Sequence, residues 1–216
     1  MATGRSVMEL DRFSRPALVV VDMQNDFVRV GAPLEVPEAR PTIPVHQALL
    51  RACRQRGIPV IYTKFLAGPE WTPMWEWSKQ VYPPVCCCWK GFRRHYQDVG
   101  KELDCSDIIE ELYPEPGDPI VDKFGYGAFH NTNLDDLLKA RHVESVLITG
   151  TVTQICVEET ARESFKRGYR TTLISDAVST YAPDLQAAVF KNFAHKFGWV
   201  STAKEVIAEL ESRTRP

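Results

Sequence analysis

Residues 143–169 read VESVLITGTVTQICVEETARESFKRGY. A β-branched apolar run, 144–150, gives way through a short Gly/Thr turn to a helical pattern over 156–167, and this strand-turn-helix step sets the fold. Cys156 falls at the first turn of the predicted helix. There the positive end of the helix dipole and nearby unpaired amide hydrogens lower a thiol pKa and favour the nucleophilic thiolate. A free cysteine is more commonly a small buried hydrophobe. On this residue alone the two readings balance.

The same cadence extends outward in both directions. Residues 17–21, ALVVV, form an apolar run ending at Asp22, as expected for a strand covered on both faces of a parallel sheet. Residues 43–56 carry helical spacing and stop at Gly57, and IPVIYTKF (58–65) reads as the second strand. From Leu66 to Gly100 the pattern dissolves into an irregular excursion with four of the five tryptophans and the run Cys86, Cys87, Cys88, Trp89, a length that usually serves a site. A short helix is predicted over 105–114, a third strand over 118–123, and a helix over 132–142 capped by Thr132 or Asn133. After the 144–150 strand and its helix come a strand over 170–177 and a helix over 183–198 with proline near its first turn. A brief WVST and a last helix over 203–213 complete the series. Strands alternating with helices predict an α/β fold with a mostly parallel sheet covered on both faces.

At 216 residues the chain fits one domain, 1–216, with 1–15 as an N-terminal extension. The 26 Lys and Arg against 28 Asp and Glu leave a formal charge of -2, which argues against a polyanionic partner and hence against nucleic acid. The polar N-terminus lacks an apolar leader core and no stretch is long enough to span a bilayer, so a cytoplasmic protein with no membrane contact is expected. The six cysteines lack a disulfide framework, which fits reduced thiols.

In such a sheet the carboxyl ends of the strands converge on one edge, where ligands bind. Asp22 closes the first strand, Lys123 the third, and Cys156 follows the fourth. Singly, the Asp reads as a turn cap and the Lys as a surface charge. Their coincidence at one rim points to acyl transfer from nitrogen. Asp22 would take the thiol proton and return it to the departing amine, Lys123 would balance the anions, and the amides of Val152 and Cys156 would receive the oxyanion.

These residues resemble the isochorismatase-like cysteine hydrolases over most of 17–205. ALVVVDMQNDF resembles the family's opening strand and implies the acid-base role for Asp22. DKFGYGAFHNT resembles the segment whose lysine completes the triad, implying Lys123, and ITGTVTQICVEETARESFKRGY resembles the nucleophile segment, implying Cys156. The resemblance also implies a three-layer α/β/α sandwich with a Rossmann-like sheet, a cis Thr151–Val152 peptide, and dimers or tetramers.

Departures within the family narrow the substrate. Relatives that act on nicotinamide carry an Asp-x-His pair and a further His for a metal. YTKFLAGPEWTPMWEW (62–77) has no histidine, so no metal and no cofactor are expected. The segments 111–141 and 197–201 look closest to ureidoacrylate amidohydrolase and biuret hydrolase. The substrate is therefore expected to be a small linear amide or ureide. Phe27 matches a pocket-wall position, Tyr126 is expected at the carbonyl or ureido end, and Thr151, Gln24 and Trp89 complete the expected substrate contacts. Gln24 is equally suited to holding a turn. Gly127 stands where many members have serine, which removes any hydroxyl role there. The Cys86–Cys88 run, with Trp71, Trp75 and Trp77, is expected to shape the entrance or a subunit contact, with Arg93 or Arg94 meeting a substrate carboxylate. The alternatives are vinyl-ether hydrolysis of the isochorismatase kind, in which Cys156 is dispensable, and a catalytically silent metabolite binder.

Overall fold

The first strand, β1 (Pro16–Val21), divides its apolar side chains between two cores. Leu18 and Val20 enter one hydrophobic cluster, while Ala17, Val19 and Val21 enter the other, as the two-residue period of a strand requires. A computed structural model describes residues 11–213; the first ten residues of the expected N-terminal extension lie outside the described residues. After β1 come a short helix α1 (Asn25–Val28), helix α2 (Ile43–Gln55) and strand β2 (Val60–Phe65). A small hairpin follows, formed by β3 (Arg93–Tyr96) and β4 (Lys101–Asp104), and then strand β5 (Ile120–Lys123) and helix α3 (Leu134–Ala140). The chain continues through β6 (Ser145–Thr151), α4 (Glu158–Lys166), β7 (Arg170–Ser179), α5 (Pro183–Lys196), β8 (Trp199–Ser201) and α6 (Ala203–Ser212).

Six strands form the central sheet in the order β5-β2-β1-β6-β7-β8, and every neighbouring pair is parallel. Buried residues of α2 and α6 join the cluster on one face, and those of α3, α4 and α5 join the cluster on the other. This is the expected three-layer α/β/α sandwich. Among the described residues no helix is long and apolar enough to cross a membrane.

The strand order reverses between β1 and β6, so the crevice expected at such a switch point opens beyond Val21 and Thr151. Gly150, paired with Val21, makes the close approach there. Its φ is +110°, and a Cβ on it would stand 1.9 Å from the Val21 carbonyl oxygen. Only glycine accepts both conditions.

Three segments depart from the sequence reading. The helix predicted over 105–114 shrinks to one 3-10 turn at Glu110–Leu112. Its preceding backbone is spent elsewhere: the Asp107 carbonyl accepts the Asn25 N–H at 2.9 Å, and the Ile109 N–H donates to the Met23 carbonyl at 3.0 Å. Pairing with the chain after β1 therefore displaces intrahelical bonding. The excursion, expected to be irregular from Leu66 to Gly100, instead ends in the antiparallel β3–β4 hairpin. Strand β7 runs on to Ser179, with a register shift opposite Ile148 and Gly150.

Candidate active site

Asp22, Lys123 and Cys156 meet at the switch point. Asp22 directly follows β1, with φ at +50°, a conformation that aspartate tolerates better than bulkier residues. Its carboxylate is fully buried. Oδ1 accepts the Thr63 hydroxyl at 2.6 Å, and Oδ2 lies 2.7 Å from Lys123 Nζ. Lys123, the last residue of β5, reaches over the end of β2. Its ammonium donates to the Gly125 carbonyl at 3.0 Å and lies 5.1 Å from the Phe65 ring centroid, a favourable place for a cation.

Cys156 sits in a wide turn, 153–157, ahead of α4. The Val157 N–H donates back five residues to the Val152 carbonyl at 3.2 Å. The turn is pinned from the side by Thr153, whose hydroxyl lies 3.0 Å from the Ser179 carbonyl and 2.8 Å from Gln186 Oε1. The Thr151–Val152 peptide is cis. Cys156 is 4% exposed, and the charges of both Asp22 and Lys123 act on its thiol.

Electrostatics at the thiol differ from the sequence expectation. Burial pushes the Cys156 pKa up to about 12; the Lys123 charge pulls it down and the Asp22 charge pushes it up. Desolvation of the anion outweighs the helix-terminus effect, so the resting group is a thiol. Burial disfavours the Lys123 ammonium, but the adjacent Asp22 and Cys156 more than offset it and raise its pKa. The resting site holds an ammonium, a carboxylate and a neutral thiol.

A cavity of about 370 Å³ opens onto the sulfur. Phe27, Phe65, Tyr126, Val152 and Ile155 form its apolar wall, and Trp77, Ser78 and Gln80 of the excursion and Tyr181 also line it. Of the residues expected at the site, Phe27, Tyr126, Val152 and Cys156 line this cavity. Three other expected contacts do not line it. The Gln24 amide is consumed by the fold: it donates to the Phe65 and Ser106 carbonyls at 2.9 and 2.8 Å and accepts the Phe65 N–H at 2.8 Å. Thr151 is buried, its hydroxyl 3.5 Å from the Ser179 carbonyl. Trp89 covers Gly68, where a Cβ would fall 2.1 Å from the indole, and packs 5.8 Å from Trp75.

Arg93 and Arg94 also lie away from the cavity. Arg93 donates to the Glu102 carbonyl, whereas Arg94 donates to Asp26 Oδ1 at 3.1 Å and the Val85 carbonyl at 2.6 Å. The Cys86–Cys88 run, expected at the pocket entrance or a subunit contact, is buried within the excursion and does not line the cavity. Asp26, Cys87 and Cys88 place donor atoms within 4.8 Å of one another. However, Asp26 already accepts from Arg94, from the Tyr96 hydroxyl at 2.7 Å and from the Cys88 N–H at 2.9 Å. Burial also holds the Cys88 thiol well above its ordinary pKa. Those bonds tie the excursion to α1 and commit the Asp26 carboxylate to the fold. Gly127 has its own reason: a Cβ there would stand 2.3 Å from Glu163 Oε2, the group that accepts the Phe129 N–H at 3.0 Å.

Sequence reasoning missed Thr63, Glu35, Ile155 and Tyr181. Thr63 had a readable signal, as a hydroxyl inside an otherwise apolar buried strand. Ile155 adjoins Cys156 in sequence, whereas Glu35 and Tyr181 reach the site from segments whose approach depends on the assembled fold.

A parallel α/β sandwich with a cysteine, an acid and a lysine at its switch point defines a class of proteins, and comparison with known proteins gives the family. The isochorismatase domain profile matches residues 16–205. The chain belongs to the isochorismatase family. It is 32% identical to ureidoacrylate amidohydrolase RutB of Agrobacterium fabrum, over 89% of this chain and 88% of that protein. The corresponding protein of Yersinia enterocolitica is 33% identical, over 87% and 86%. Among solved structures, a cysteine hydrolase from Pseudomonas syringae pv. phaseolicola superposes with a TM-score of 0.79 at 32% identity, covering 92% of this chain and 93% of that one. N-carbamoylsarcosine amidase from Thermoplasma acidophilum superposes with a TM-score of 0.70 at 30% identity, covering 87% and 96%.

Proposed function

We propose that the protein is a cysteine amidohydrolase that cleaves the C–N bond of a small linear amide or ureide through a Cys156-linked acyl or carbamoyl intermediate. The observation that carries this reading is a buried Asp22–Lys123 pair, 2.7 Å apart, whose charges act on the thiol of Cys156 where that residue lines a cavity. Relatives named for ureidoacrylate and N-carbamoylsarcosine support a carbamoyl-type bond.

The chemistry follows from the charges. As a carbonyl carbon approaches the sulfur, the thiol proton passes to Asp22, and Lys123 faces a thiolate and a carboxylic acid instead of a thiol and a carboxylate. The net charge of the buried group is unchanged, so the transfer avoids the cost of creating a charge in a dry site. The sulfur bonds to the carbonyl carbon, and the oxyanion is received by the amides of Val152 and Cys156. Collapse expels the amine or ammonia, which takes the proton held by Asp22. Asp22 then removes a proton from water, and hydroxide attack on the thioester or thiocarbamate regenerates the thiol. Phe27 and Tyr126 flank the scissile group.

We further read residues 1–216 as a single hydrolase domain in a cytoplasmic homo-oligomer. Six unpaired cysteines support the compartment, and Trp77, 85% exposed at the cavity mouth, supports association.

The test is ammonia release across small amides and ureides by wild type, Cys156→Ala and Cys156→Ser. Both variants are expected to lose at least about 1,000-fold in kcat while remaining folded. Full ammonia release by Cys156→Ala would exclude the covalent route.

A further inference from the structure

Among the described residues no guanidinium or ammonium lines the cavity above Cys156, and the one charged lining residue is Glu35. Glu35 is fixed, with Oε2 accepting the Gly31 N–H at 2.8 Å and Oε1 lying 2.8 Å from Arg40 Nη1. Arg40 does not line the cavity, and the same nitrogen also donates to the Val28 carbonyl at 2.8 Å. Lys123 serves Asp22 and Gly125, Lys64 lies 3.5 Å from Asp107, and Arg94 is held by Asp26. Lys79 falls between Ser78 and Gln80 but is exposed and does not line the cavity.

A carboxylate entering this space would lose hydration without gaining a counter-ion, because the Arg40 cation beside the cavity is already paired with Glu35. The aromatic and aliphatic wall offers instead a surface for an apolar body. We propose that Glu35 and the cation-free wall select uncharged small amides or ureides with an apolar end and exclude carboxylate-bearing ones. This rests on the amidohydrolase reading of Cys156 and narrows it. It also separates the chain from relatives named for ureidoacrylate, whose substrate carries a carboxylate.

Two matched pairs test the proposal, butyramide against succinamate and propylurea against 3-ureidopropionate. Each pair differs by a methyl in place of a carboxylate. The neutral member is expected to show at least about tenfold higher kcat/KM for ammonia release. Glu35→Gln, which keeps the shape but removes the charge, is expected to narrow that ratio. Gln80→Arg, at an exposed lining position, is expected to raise kcat/KM for the carboxylates. Equal or better turnover of the carboxylates by the wild type would overturn the proposal, as would a ratio unmoved by both variants. If neither pair releases ammonia, the amidohydrolase reading is in question, and calorimetric binding of the same pairs to Cys156→Ala decides charge selection separately. Tighter binding of the neutral members upholds it, and equal or tighter binding of the carboxylates overturns it.

Discussion

Lys123 Nζ lies 2.7 Å from Asp22 Oδ2 with neither side chain exposed, although β2 stands between the strands that carry them. Neighbouring strands are about 4.8 Å apart, so β5 and β1 are separated by about 10 Å. A long side chain lying across the end of β2 closes that gap. Thr63 and Phe65 of β2 provide the surface it crosses, one bonded to Asp22 and the other under the ammonium.

Lys123→Met should therefore be costly to the fold as well as to activity. It leaves the Asp22 charge buried without its partner, a change worth about 3–5 kcal/mol. Urea unfolding should show that loss, and the double variant Asp22→Asn with Lys123→Met should recover much of it. The pH dependence has a defined sign. Because the folded Lys123 pKa is raised above 10.5, its contribution is complete below the unfolded value and is lost only as pH climbs through the folded one. A stability difference between wild type and the double variant that changed between pH 6 and 9 would contradict this assignment.

Alkylation of Cys156 provides a second measurement. With the thiol pKa pushed up to about 12 by burial, thiolate is scarce at neutral pH in the free protein. The iodoacetamide rate at Cys156 should rise about tenfold per pH unit from 7 to 10, followed by peptide mass spectrometry. A plateau below pH 8 would mean that the charge of Lys123 and the turn amides outweigh desolvation.

The fold and the three reactive side chains were legible because each depends on local pattern. ALVVV and SVLIT are continuous apolar runs that only a doubly covered strand explains, and Asp22, Lys123 and Cys156 sit at or just past strand ends. What was not legible depends on distant contacts. Gln24 looked like a ligand contact, yet its amide bridges Phe65 and Ser106. Arg94 looked free, yet Asp26 holds it from 68 positions away. The cysteine beside a helix start suggested a lowered pKa, a local argument that burial reverses. The β3–β4 hairpin escaped notice because its short strands are polar and mostly unburied, without an apolar alternation to reveal them.

Thr63→Val is expected to separate positioning from binding. The Thr63 hydroxyl donates to Asp22 Oδ1 at 2.6 Å in a wholly buried setting, and a hydrogen bond to a charged group is worth about 1.5–3 kcal/mol. Valine keeps the volume and branch but leaves that oxygen without its donor. Initial-rate kinetics should show kcat lowered by about 10–100-fold with KM little changed, and the acid limb of the kcat profile should move. Serine at this position should restore most of the rate. Equal losses in Thr63→Val and Thr63→Ser, with no movement of the pH profile, would assign Thr63 a packing role only.

His46 should govern acid stability far from the catalytic cavity. It is buried in α2, its Nδ1 lies 2.9 Å from the Thr42 carbonyl, and burial lowers its pKa from 6.5 to about 4, against smaller opposing effects of Thr42 and Asp176. The unfolded chain therefore binds a proton between those pH values that the folded chain resists. Stability from the neutral ring is full above pH 6.5 and falls as pH drops towards 4, by about 3 kcal/mol in all. His46→Leu removes the proton site and keeps an apolar side chain, so its unfolding free energy should vary less across that window than that of the wild type. Parallel pH curves for the two proteins from 6.5 to 4 would show that other groups set the acid limit.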